Sequence, residues 1–150
     1  MYMKYLHKVH EIIHKFDNKD AAMLFVRIAV GVVFINAGWM KINNIDFVVS
    51  GFASIGFPAF LAYFVTYAEF IGGIAVLMGI FVRYFGIVLA IIMLVATFKA
   101  HWAQGFSLAN GGYEYTFVLF FLALSLIATG AGKYSVAGCI RQWKENRKIS

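Results

Sequence analysis

Five residues recur at helical spacing early in the chain: Arg27, Gly31, Phe34, Gly38 and Lys41, at steps of four, three, four and three. That spacing sets them on one stripe of an α-helix. A guanidinium inside an apolar helix must face protein or water, since a charge at mid-bilayer costs about 3 kcal/mol on insertion scales. Glycines on the same stripe let a second helix approach closely. A carboxylate, Glu69, lies in a later apolar stretch beside the small-residue stripe Ala68, Gly72, Ala75 and Gly79. With the two stretches antiparallel, a buried Arg27–Glu69 ion pair is the economical arrangement for both charges. Such a pair could fix helix register, or it could present a proton-active or ligand-binding carboxylate. Gly31, Gly38, Gly72 and Gly79 are the expected helix-packing positions.

A second polar group collects where apolar stretches end: Lys41, Lys99, His101, Trp102, Gln104, Tyr113 and Glu114. Lys41, His101 and Glu114, with Glu69 beneath them, are the candidate pocket for a small amphipathic ligand such as a quinone head group. An ammonium or protonated imidazole can donate to a quinone carbonyl, and a carboxylate can pass the proton. The competing reading is simple anchoring of Trp, Tyr and Lys in the headgroup layer.

Other chemistry is thinly represented. His7, His10 and His14 share a flank of the amino-terminal segment, but no carboxylate or cysteine completes a metal-binding set, so no metal site is expected. Axial haem ligation is weakly supported, because His101 is the only histidine beyond that segment. The one cysteine, Cys139, can form no intrachain disulfide. There is no nucleophile elbow and no phosphate-cradling glycine loop. Catalytic residues are therefore left unassigned.

The elements that carry these residues follow from composition. Of 150 residues, 62% are hydrophobic and 13% charged, against roughly 25% charged in soluble domains. A chain this short keeps much of its surface exposed, so lipid must cover the apolar excess. Apolar runs over Ala21–Met40, Ala59–Ile80, Tyr84–Lys99 and Tyr115–Thr129 are each near the about 17–25 residues of a bilayer crossing, and helices are the default because lipid offers backbone amides no partner. The first run is too long for the core of a signal peptide and is followed by Trp39, Met40 and Lys41 rather than small residues.

The net charge is +6. Lys4, Lys8, Lys15 and Lys19 precede the first run and Arg141, Lys144, Arg147 and Lys148 follow the last. Basic flanks around apolar runs are a topology signal rather than a nucleic-acid groove, and they put both termini in the cytoplasm. Residues 1–16 read as a cationic amphipathic helix at the interface, and Ile42–Pro58 as an apolar segment lying at the outer interface or folded over the helices.

These residues resemble the DoxX family of small four-helix membrane proteins. The matching pieces are RIAVGVVFINAGWMK, IGFP, YAEFIGGIAVLMGIFVR, MLVATFKAHW and GGYEYTFVLFFLALSLIATGAGKYSV, spanning about Met23 to Val136. The ordered set is Arg27, Gly31, Gly38, Lys41, Glu69, Gly72, Gly79, Arg83, His101 and Glu114. The chain departs from the family at its final turn, where Gly130-Ala131-Gly132 stands in place of Gly-Pro-Gly and Val136 and Ala137 follow Ser135 without the usual acid. The resemblance implies a small subunit linked to quinone-dependent oxidoreductases, with ties to sulfur or thiol oxidation and oxidative-stress defence.

The expectation is an all-α, polytopic membrane four-helix bundle with an amino-terminal interfacial amphipathic helix. It divides into an amphipathic segment (1–20), a four-span domain (21–132) and a basic cytoplasmic tail (133–150). The expected location is the inner, or cytoplasmic, membrane of a prokaryote. The leading function is a membrane subunit of a quinone-linked oxidoreductase, with no cofactor of its own and a quinone as candidate ligand. Membrane lipids and a soluble or membrane oxidoreductase are the expected partners, with a homo-oligomer open and no nucleic acid. Two other classes remain open: a small-solute or proton transporter in which Arg27 and Glu69 line an aqueous path, and a non-catalytic assembly or stress-response scaffold.

Overall fold

The computed structural model describes residues 18–149, and all its elements there are helical. They are α1 (Lys19–Asn43), α2 (Ile45–Ser54), α3 (Ala59–Met78), α4 (Val82–Ala96), α5 (Glu114–Thr129) and α6 (Val136–Ile149). A π turn (Thr97–His101) and a 3-10 turn (Trp102–Gln104) prolong α4. The expected amphipathic helix over residues 1–16, with His7, His10 and His14, lies outside the described residues.

Local chemistry sets the helix limits. The Asn18 side chain accepts from the Ala21 amide at 3.1 Å and opens α1. Pro58, with no amide to satisfy, sits at φ −70° and ψ 151° ahead of α3. Gly79 ends α3 in the left-handed conformation, φ 76°, and the Ile80 amide returns to the Ala75 carbonyl at 2.9 Å.

Three helices are long and apolar enough to cross a membrane: α1, α3 and α4 with its prolongation to Gln104. The 16-residue α5 is shorter. Helices α1, α3, α4 and α5 pack around a core of Val30, Phe34, Val76, Leu89, Ala123 and Leu126. Their outward faces carry exposed Phe25, Phe60, Ile71, Ile91 and Phe121, an apolar exterior that matches lipid as its solvent.

The α1–α3 contact is a backbone contact. A Cβ placed on Gly38 would meet the Phe70 amide nitrogen at 2.6 Å, and one on Gly73 would meet the Ile35 amide nitrogen at 2.7 Å. Gly31 likewise faces Gly73 and Leu77. Gly72 looks the other way, toward Phe85 and Leu89 of α4. At one end of the molecule the start of α1, the α3–α4 turn and the α5–α6 turn come together, and the Lys133 amide donates to the Asp20 carboxylate at 2.7 Å. At the other end lie the close of α1, helix α2, the π turn and the loop into α5. The apolar Ile42–Pro58 connection is folded over the helices: it forms α2, which packs on α3.

Candidate functional site

Arg27 is buried, 2% exposed, and its guanidinium serves four backbone carbonyls. Nε donates to Val76 at 2.9 Å and Nη2 to Leu77 at 2.6 Å. Nη1 donates to Ala131 at 2.9 Å and to Tyr134 at 2.6 Å. The last carbonyls of a helix lack intrahelical partners and carry partial negative charge, so a cation there is doubly favoured. The planar guanidinium fork suits this task in a way an ammonium does not. Arg27 thereby ties the end of α3 to the turn after α5.

This overturns the expected Arg27–Glu69 pair. Glu69 pairs instead with Lys41, whose Nζ donates to Oε2. The reason is register. The contacts Gly38–Phe70 and Gly31–Leu77 set Glu69 level with Trp39, twelve residues beyond Arg27, or about 18 Å at 1.5 Å per residue. No arginine spans that distance. Arg27, committed to carbonyls, lies toward the opposite end of the α1–α3 contact from Glu69. The glutamate is 1% exposed while the Lys41 side chain keeps 30% of its surface, so the pair has a dry carboxylate end and a wetter ammonium end.

The pair forms part of the wall of a cavity of about 570 Å³ between α1, α3, α4 and α5. Most of the wall is apolar: Phe34, Val65, Ile92 and Leu119, with Phe52 and Phe57 of the α2 segment at one side. Polar groups contribute at a few points only, namely Lys41, Glu69, Lys99, His101, Tyr115 and Thr116. Volume and lining match ordinary small-molecule sites, which are concave, mostly apolar and marked by a few polar groups.

The π turn contributes two of those groups, Lys99 and His101. It is stitched to α5 by the Thr97 and Thr116 hydroxyls, 2.7 Å apart: one donates across the contact, and the other donates to its own carbonyl, that of Met93 for Thr97 or of Tyr113 for Thr116. His101 Nδ1 lies 2.8 Å from the Gly111 carbonyl. A carbonyl only accepts, so Nδ1 bears hydrogen and Nε2 is left to exchange a proton. Beside Val65 of the wall, buried Thr66 has an Oγ1 with no hydrogen-bond partner among the described residues.

Of the candidate pocket residues, Lys41, Glu69 and His101 share this cavity and Glu114 does not. Its carboxylate accepts from the Leu108 amide at 3.1 Å and braces the loop before α5. An acid in the first turn of α5 also suits the helix dipole. Lys99, Tyr115 and Thr116 are the lining groups that sequence reasoning did not place in a pocket. The signal available for Tyr115 and Thr116 was their position in the first turn of the fourth apolar run. Among the described residues no three His, Cys, Asp or Glu side chains are grouped to hold a metal ion.

Residues 22–102 match the DoxX family. The chain is 27% identical over 131 residues to a Bacillus subtilis (strain 168) protein named "Putative oxidoreductase CatD", covering 87% of this chain and 96% of that one. It is 32% identical over 120 residues to "Inner membrane protein YqjF" of Escherichia coli (strain K12), covering 79% of this chain and 91% of that one. No solved structure matches it. With more than half of its residues inside the family match and both relatives covered nearly end to end, the chain belongs to the DoxX family of membrane proteins.

Proposed function

We propose that this protein is a membrane subunit of a quinone-linked oxidoreductase system, holding a quinone in the cavity between α1, α3, α4 and α5. The observation that carries the reading is the apolar cavity of about 570 Å³ with a buried glutamate–lysine pair and a histidine in its wall. A quinone supplies redox chemistry with two electrons and two protons. The apolar wall accommodates its ring and the start of its tail. Lys41 and, when protonated at Nε2, His101 are the donors suited to its carbonyls; the proton that Lys41 gives up is replaced from solvent at its exposed end, and the Glu69 carboxylate holds Lys41 in position. Electrons come from a partner oxidoreductase. The relative named as an oxidoreductase supports this class of function.

In this reading α1, α3, α4 and α5 each cross the inner membrane, and both termini are cytoplasmic. Arg83, Lys133 and Arg141 gather at one end of the molecule, which supports that orientation.

The test is a titration of a short-tail quinone into the purified protein carrying Trp143→Phe, following quenching of Trp39 and Trp102. Saturable quenching is expected, weakened about tenfold in Lys41→Ala by loss of a charged hydrogen bond. Glu114→Gln, outside the cavity wall, is expected to bind as the parent does. Unsaturable quenching, or quenching unchanged in both Lys41→Ala and Glu69→Gln, overturns the proposal.

A further inference from the structure

A second cavity, of about 630 Å³, opens at the far end of the molecule between the α3–α4 turn, the α5–α6 turn and α6. About half of its lining is polar. Arg83 of α4, Lys133 of the turn and Arg141 of α6 face it, against the carboxylates of Asp20 and Glu145. Asp20 is engaged locally, accepting from the Lys133 amide at 2.7 Å. Among the described residues the one ion pair within 4 Å is Lys41–Glu69, so none of the three cations is neutralised by a carboxylate in contact. Three separate elements thus converge cations on one concave site, an arrangement suited to a phosphate group.

The surroundings indicate which phosphate. Helix α6 carries exposed Val136, Ile140 and Trp143 at steps of four and three, one stripe of the helix. Arg147 stacks over the Trp143 ring at 4.0 Å, the pairing of an interfacial aromatic and a cation. Phe81 and Tyr84, also exposed, flank Arg83 at the α3–α4 turn. Phe81 and Tyr84, which suit acyl chains, line the same cleft as the three cations that suit a head group, while the apolar stripe of α6 lies on the opposite face of that helix. We infer that this cleft is a binding site for the head group of an anionic phospholipid, with α6 lying in the interface and Arg83, Lys133 and Arg141 holding the phosphate. The site is separate from the quinone cavity and stands whether or not that cavity binds quinone.

The experiment uses the full chain in detergent, titrated with dioctanoyl phosphatidylglycerol, dioctanoyl phosphatidylcholine or inorganic phosphate, with lipid retention read by native mass spectrometry and by thermal shift. Saturable retention of phosphatidylglycerol is expected, with phosphatidylcholine at least about fivefold weaker. Each of Arg83→Gln and Arg141→Gln should weaken phosphatidylglycerol binding about fivefold, the value of one interfacial charge. Arg141→Lys should retain most of it, and Lys144→Gln, outside the cleft lining, should change nothing. Equal binding of the two lipids, or Gln variants that bind like the parent, overturns the inference. Saturation by inorganic phosphate with no preference for the lipid overturns the assignment to a head group.

Discussion

At the scale of single residues, two buried charges are held in different ways. Glu69 has a charged partner, and Arg27 has carbonyl dipoles. Removing one member of a charge pair strands the other in a low dielectric, whereas neutralising both does not. Lys41→Ala is therefore expected to destabilise the protein by about 2 kcal/mol, below the range for fully buried pairs because Lys41 keeps contact with solvent. Adding Glu69→Gln should recover part of that loss. Arg27→Ala is expected to cost about 3–5 kcal/mol, as it takes the guanidinium donor from the Leu77, Ala131 and Tyr134 carbonyls and leaves Val76 only the Gly79 amide, and Glu69→Gln should recover none of it. Melting of the four variants in detergent checks both statements. Recovery of Arg27→Ala by Glu69→Gln, or its absence for Lys41→Ala, would contradict the observed pairing.

At the scale of elements, α1 and α3 meet through glycine. Gly38 lies against the Phe70 backbone, which cannot move aside as a side-chain tip can. Gly38→Ala is expected to cost about 1–3 kcal/mol by overpacking. Gly51 of α2 has open space around the position of a Cβ, so Gly51→Ala should be neutral or slightly stabilising through helix propensity. Thermal denaturation of the two variants decides this, and equal melting temperatures would show that α1 and α3 are not in backbone contact. The same contact positions the site, because it sets Lys41 beside Glu69. The π turn does the corresponding work on α4: its wider winding carries Lys99 and His101 to the cavity while Thr97 stays bonded to Thr116. A π turn leaves no periodicity that distinguishes it from the helix before it, so its presence could not be read from the apolar pattern.

At the scale of the whole molecule, charge is distributed by end. Arg83, Lys133 and Arg141 share one end, while Lys41, Lys99, Asp46 and Glu114 belong to the other. The proposed orientation predicts that exposed Cys139 of α6 is cytoplasmic. In sealed cells a membrane-impermeant thiol reagent should leave Cys139 unlabelled, and permeabilisation should allow labelling. Labelling before permeabilisation would reverse the orientation.

The order of residues along the chain was enough to dictate the helical elements and the polar groups within them. Long apolar runs with glycine, proline and asparagine at their limits can satisfy their backbones only as helices in lipid. The observed α1, α3 and α5 fall close to the expected runs, and Arg27, Glu69 and Lys41 stand out because charge is costly in such surroundings. The periodicity also put Arg27 and Lys41 on one stripe correctly. What it could not supply was depth. Spacing in sequence encodes the angle around one helix, but the offset between two helices depends on where their surfaces interlock. Here Gly38 seats on Phe70, and that contact carries Glu69 past Arg27 to Lys41. Arg27 found its partners among carbonyls, which every residue possesses and no residue type announces. Glu114 turned to the Leu108 amide for the same reason. Pairing was set by tertiary register and by backbone groups that become available only when helix ends and turns are brought together.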